Sequence, residues 1–283
     1  MGKLETSGKI RLNKYLANCG IASRRRSDSY ITQGLVIVNG KRVYELGTKV
    51  DPNKDKITVN GKPIRLENKN IYLMFYKPRG VITSIGDPLD RPSVADYLPA
   101  MKYRVFPVGR LDWDSEGLLL LTNDGDFAQK VLHPESEIPR TYMAKLNAAP
   151  SEEKLKKLLL GVSIPGGKVS AENVEKLSYG SGEHPWYKIT ITEGKNRQVR
   201  RMFEKVGFDV LKLKRVAIGQ LKIGNLNPGE IVELSAEKIQ QVFRTIKMIE
   251  DRSRLKQRSK RQKSTKRSTS QSQNETAKAL RTH

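Results

Sequence analysis

The feature that most restricts this chain is the shortness of its apolar runs. "VFPV", "GLLLLT", "RTYMAKL" and "WYKITIT" each last only four to seven residues before Gly, Asn or Glu cuts them off. Runs of that length suit strands better than helices. "IYLMFYKPRGVIT" reads as strand, loop and strand around Pro78 and Gly80. Helical periodicity enters only briefly. Ser151 can cap "EEKLKKLLL", which stops at Gly161, and Val199, Met202, Phe203 and Val206 follow i, i+3, i+4, i+7 within a helix from about Arg197 to Val206. Strands interleaved with a few helices predict an α+β body over residues 70–247, built on a mixed, mostly antiparallel sheet. No period of 20–50 residues recurs, so a repeat architecture is excluded.

A smaller module precedes it, over residues 10–67. Leu12, Tyr15 and Leu16 sit at helical spacing ahead of Gly20. Ser23 can cap a second helix, "RRRSDSYITQ", ended by Gly34. Two Asn-Gly pairs, Asn39-Gly40 and Asn60-Gly61, then punctuate short strands, the strongest local hairpin signal. Arg24, Arg25 and Arg26 directly follow the cap, at the positive end of the helix dipole, where cations are unfavourable unless an anion joins them.

Charge narrows the class of partner. Lys and Arg total 53 against 30 Asp and Glu, a formal +23. Such an excess favours a polyanion, because neutralised phosphates release counterions. Residues 1–9 form a polar lead. The stretch from 250 to 283 has almost no large apolar residues, and eleven Lys/Arg against two acids fall in 251–283. That tail is expected to be disordered and basic. Cys19 is the only cysteine, which excludes an intrachain disulfide and a cysteine-based zinc site. No apolar run approaches the roughly 20 residues of a membrane helix, and the N-terminus lacks a signal-peptide pattern. A cytoplasmic protein with no structural metal is expected.

Against this basic background stands "GRLDWDSEGLLLLTNDG", with Asp112, Asp114, Glu116 and Asp124 followed by Asp126. Asp112, Asp114, Glu116 and Gly117 match the opening of a calcium loop, but its twelfth position is Asn123 and strand patterns flank it where helices are required. A metal is therefore not expected. Paired-carboxylate hydrolysis needs a second acid across a gap, and nothing marks one. Asp114, Ser115, Glu116 and Gly117 read as a polar turn. Asp112 differs, because it ends an apolar strand and Arg110 shares its strand face.

These residues carry a resemblance. "RLNKYLANCGIASRRRSDSYITQGLVIVNGKRV" resembles an S4 RNA-binding domain. "VGRLDWDSEGLLLLTNDG", with "YKPRGVITS", "IPRTYMAKL" and "ITEGKNRQVRRMFEKVG", resembles the pseudouridine synthases of the RsuA/RluB branch, in which an S4 module precedes the synthase domain. The likeness spans residues 10–245. It implies a synthase-type catalytic domain that detaches uracil from ribose C1′, turns it and rejoins it through C5, without a cofactor. Asp112 falls on the essential aspartate, acting either by attack at C1′ or through a glycal. Tyr142 falls on the tyrosine that stacks on the target base. Arg200 would pair with Asp112 and keep it ionised.

Contacts to RNA are expected from Arg110, Lys77 and Arg79, from Lys195, Arg197 and Arg201, and from Lys14 with Arg24, Arg25 and Arg26 in the S4-like helices. The expected partner is ribosomal RNA, bound by a monomer away from membranes. The flanking residues "VLHPESEIPRTY" resemble the RluB type more than the RsuA type, which implies large-subunit rather than small-subunit rRNA. A non-catalytic S4-type assembly factor is the alternative, and an intact set of Asp112, Tyr142 and Arg200 argues against it.

Overall fold

The computed structural model describes residues 8–66, 69–85, 87, 89–98, 104–178, 183–249 and 251. Apart from Asp251, the basic tail read from the sequence lies outside these residues.

In the N-terminal module, α1 (Leu12–Asn18) packs against α2 (Arg24–Thr32). Ser23 caps α2, its hydroxyl accepting from the Arg26 amide at 3.3 Å. β1 (Val36–Val38) and β2 (Lys41–Val43) turn at Asn39-Gly40, with φ of 51° and 82°. β3 (Ile57–Val59) and β4 (Lys62–Ile64) turn at Asn60-Gly61, with φ of 50° and 74°. Positive φ at both central residues matches the strand twist and explains the choice of Asn-Gly. The sheet runs β2-β1-β3-β4, and Leu12, Leu16, Ile31 and Val36 fill the core between it and the helices.

The body is built on a nine-stranded sheet. Its members are β5 (Tyr72–Lys77), β6 (Phe106–Val108), β7 (Glu116–Thr122), β8 (Arg140–Leu146), β9 (Asn173–Lys176), β10 (Trp186–Ile191), β11 (Val210–Ile218), β12 (Leu221–Lys222) and β13 (Ile231–Glu233). The order is β9-β10-β8-β11-β7-β5-β13, with β6 beside β7 and β12 beside β11. Every pairing is antiparallel except β11 with β7, where Lys214 faces Glu116 and Arg215 faces Gly117. At that join Gly117 is obligatory, since its φ is +108° and a Cβ would overlap the Arg215 backbone.

Helices cover both faces. α4 (Glu152–Leu160) and α5 (Gln198–Lys205) cover a core that includes Tyr187, Ile189, Met202 and Phe203. α3 (Gly125–Leu132) and a terminal helix over residues 236–249 cover the other, with Leu118, Leu120, Phe127 and Val242 between them. The strand expected after Pro78 does not form; only a single bridge joins Ile82 to Ser93. Among the described residues no helix is long and apolar enough to cross a membrane.

Candidate active site

β6 and β11 share one edge of β7, so the segment between β6 and β7 emerges where the two meet. Asp112 lies in that segment and lines a cleft of about 500 Å³. The backbone around it is fixed from several sides. The Thr83 hydroxyl donates to the Leu111 carbonyl at 2.7 Å and accepts from the Leu111 amide at 3.1 Å. Asp112 to Ser115 closes as a turn, the Ser115 amide donating to the Asp112 carbonyl at 3.1 Å. The Gly80 amide donates to the Trp113 carbonyl at 2.8 Å, tying the turn to the "YKPRG" loop.

The ion pair expected between Arg200 and Asp112 falls two residues later, on Asp114. Arg197 grips the Asp114 carboxylate with both terminal nitrogens, at 3.0 and 2.9 Å. Arg200 adds a contact to the same carboxylate at 3.2 Å and donates to the Asp114 carbonyl at 2.9 Å. The alternation of the turn explains the shift: Asp112 faces the cleft, while Asp114 meets α5. Burial alone would raise the Asp114 carboxyl, but the Arg197 hydrogen bonds and the charges of Arg200 and Arg197 outweigh it and hold it below the ordinary range. Asp114 is thus not a mere turn acid; it clamps the Asp112 turn to α5. Arg197 reaches it from the N-cap of α5 with φ +51°, a left-handed conformation unusual for a side-chain-bearing residue. Among the described residues Asp112 itself makes no ion pair.

Lys77 also departs from expectation. It is 0% exposed, so it cannot touch RNA, and its ammonium donates to the Val81 carbonyl at 2.6 Å and the Pro78 carbonyl at 3.0 Å. Burial lowers its pKa to about 8, against the raising effect of Asp112 and Asp114. It supports the loop from beneath.

Tyr142 lines the cleft from β8 and is 9% exposed. Its register partner on β11 is Arg215, which the sequence reading missed. Arg215 is 3% exposed and lines the same cleft, donating through Nε to the Leu118 carbonyl at 2.7 Å. Its Nη2 has no hydrogen-bond partner among the described residues. Arg140, also missed, lines the cleft and donates to the Thr192 carbonyl at 3.2 Å. Neither had a readable signal, because one basic residue inside an alternating strand looks like any solvent-facing one.

Of the other expected contacts, Arg110, Lys195 and Arg197 line the cleft, and Arg110 is exposed. Arg79 is exposed and lines a side hollow with Asp114, Glu116 and Lys212. Arg201 is half-buried on α5 and outside the cleft lining. Arg24, Arg25 and Arg26 are exposed on α2. Lys14 is part-exposed, and its ammonium pairs with Asp126 of α3 at 2.6 Å. The site is therefore a cationic cleft with an aromatic wall and a rigid floor, in which Asp112 makes no ion pair among the described residues while the other lining carboxylate, Glu193, is paired with Lys195 at 3.1 Å.

Comparison with known proteins identifies the family. Residues 71–205 match the RNA pseudouridylate synthase family and residues 10–56 the S4 domain. Ribosomal large subunit pseudouridine synthase B of Bacillus subtilis is 43% identical over 82% of this chain and 95% of its own length. An uncharacterized RNA pseudouridine synthase of Aquifex aeolicus is 37% identical over 84% of the chain and 95% of its own. A crystal structure of a pseudouridylate synthase superposes with a TM-score of 0.59 at 25% identity, covering 82% of this chain and 99% of that one. With its S4 helices and hairpins set ahead of the synthase sheet, this chain belongs to the RNA pseudouridine synthases.

Proposed function

We propose that the chain converts one uridine of large-subunit ribosomal RNA to pseudouridine, with Asp112 as the nucleophile. The observation that carries this is the separation of Asp112 from Asp114. The second acid takes the close ion pairs of Arg197 and Arg200, and the first faces a cationic cleft with no ion pair of its own among the described residues, while the charges of Arg197, Arg200 and Lys77 still act on it. A carboxylate with no acid partner suits an isomerisation, which needs one nucleophile and no external water. The target uridine flips into the cleft, since its C1′ is otherwise shielded by the stack. Asp112 displaces N1 from C1′, and the bonding pair leaves with uracil. The base turns, C5 bonds to C1′ as the carboxylate departs, the proton leaves C5, and N1 regains one. Tyr142 offers the aromatic wall on which the base rests.

Residues 10–67 hold structured RNA while residues 70–247 carry the chemistry, in a monomer acting on rRNA in the cytoplasm. The large-subunit assignment is supported by the relative from Bacillus subtilis, whose name gives that subunit.

Carbodiimide primer extension over both ribosomal RNAs tests the reading. A strain lacking the gene should lose one pseudouridine in large-subunit rRNA; wild type should restore it and Asp112→Asn should not. Restoration by Asp112→Asn would remove Asp112 from the nucleophile's role. A deletion that changes no uridine would remove the enzymatic reading for rRNA.

A further inference from the structure

The turn that presents Asp112 is a ridge between two hollows. Asp112 lines the main cleft on one side, and Asp114 lines the smaller hollow on the other. Leu213 lines both, so the hollows adjoin beneath the turn. Trp113 sits on the crest, 56% exposed and lining neither. Its side chain is open to solvent although its backbone is held, by Gly80 on its own carbonyl and by the Arg197 clamp on the next residue.

A large aromatic ring left in water on a fixed backbone forgoes the burial that a bulky apolar side chain ordinarily gains, unless something covers it. Cations lie on both sides: Arg110 in the main cleft, Arg79 and Lys212 in the side hollow. The acids of that hollow are engaged, Asp114 by Arg197, and Glu116 near the Tyr76 hydroxyl, whose pKa burial and the Glu116 charge raise to about 12. What suits an exposed ring bracketed by cations is a base flanked by phosphates.

We infer that Trp113 is a stacking platform for the nucleobase next to the target uridine, carrying the strand over the ridge toward Arg79 and Lys212. Trp113 lies one peptide unit, about 3.8 Å, from Asp112, so the nucleotide that crosses it must adjoin the one in the cleft. Trp113 therefore reads the presence of a stackable neighbour, and binds substrate without taking part in bond making. This inference rests on the proposed uridine isomerisation.

The test uses the full chain and a short RNA transcript around the uridine mapped by primer extension, alongside versions with an abasic residue on either side. Trp113→Ala should raise KM about tenfold, the lower part of the range for losing one stacked base, with kcat within twofold. Trp113→Phe should restore most of the loss. One abasic RNA should cost wild type the same factor and cost Trp113→Ala nothing further. An unchanged KM in Trp113→Ala overturns the platform, as do losses that simply multiply for both abasic RNAs. Wild type that forms no pseudouridine on the intact transcript would instead overturn the underlying isomerisation.

Discussion

At the scale of single residues, two carboxylates two positions apart do opposite work. Asp114 is spent on two arginines, whereas Asp112 makes no ion pair among the described residues and keeps only their longer-range charge beside it. Lys77 shows a related division, since its buried charge is used on backbone carbonyls. Its lowered pKa, about 8, makes a signed prediction. Between about 8 and the ordinary lysine value near 10.4, the unfolded chain holds a proton on Lys77 that the folded chain releases. This group's contribution to folding stability is therefore complete above the ordinary value and is lost as pH falls through about 8. Urea unfolding from pH 7.5 to 9.5 should show stability rising from this source, and Lys77→Met should flatten that rise. A variant with the wild-type slope would show that Lys77 keeps its ordinary proton.

At the scale of elements, the site depends on how loops are pinned to strands. Thr83 makes two hydrogen bonds to Leu111, next to Asp112, from the loop after β5. Thr83→Val keeps the shape and deletes both bonds. It should lower kcat about tenfold, in line with roughly 1 kcal/mol for a neutral hydrogen bond, with KM little changed; Thr83→Ser should stay near wild type. A fall in KM-controlled binding alone, with kcat intact, would mean that Thr83 does not position Asp112. The two α2-flanked hairpins of the N-terminal module were legible because Asn-Gly turns and Ser caps are local signals. α5 was legible to within a residue from its apolar spacing. What could not be read was which strands meet. The one parallel pair, β11 with β7, joins residues about a hundred positions apart, and it is what brings Arg215 and Tyr142 to the Asp112 turn. The α3 helix was missed too, because "GDFAQKVL" begins with Gly and follows a turn signal. Its cap is nevertheless local: the Asp124 carboxylate accepts from the Asp126 and Phe127 amides.

At the scale of the whole molecule, the two modules meet through a helix that also serves the cleft. Lys14 of α1 pairs with Asp126 in the first turn of α3, and Val131 and Leu132 at the other end of α3 line the cleft. An ion pair this exposed contributes only about 0.2–1 kcal/mol, so it orients the modules more than it stabilises them. Charge, by contrast, is distributed very unevenly along the chain. Eleven Lys/Arg against two acids in residues 251–283 supply +9 of the +23. The cations of the cleft and of α2 are held on folded elements, whereas a dense run of like charges far from Asp112 in sequence can interact with any nearby phosphate. Each phosphate it neutralises steepens the fall of log K with log salt by just under one on duplex RNA-like surfaces and less on single strands. A chain ending at residue 250 should therefore bind rRNA transcripts more weakly than the full chain at 50 mM salt. Its salt dependence should be shallower, so that the two affinities converge at high salt. Filter binding across a salt series checks the slope, and primer extension checks that the same uridine is modified. Parallel salt lines, or a change in the modified position, would show that the tail selects the site and does more than hold the polyanion near it.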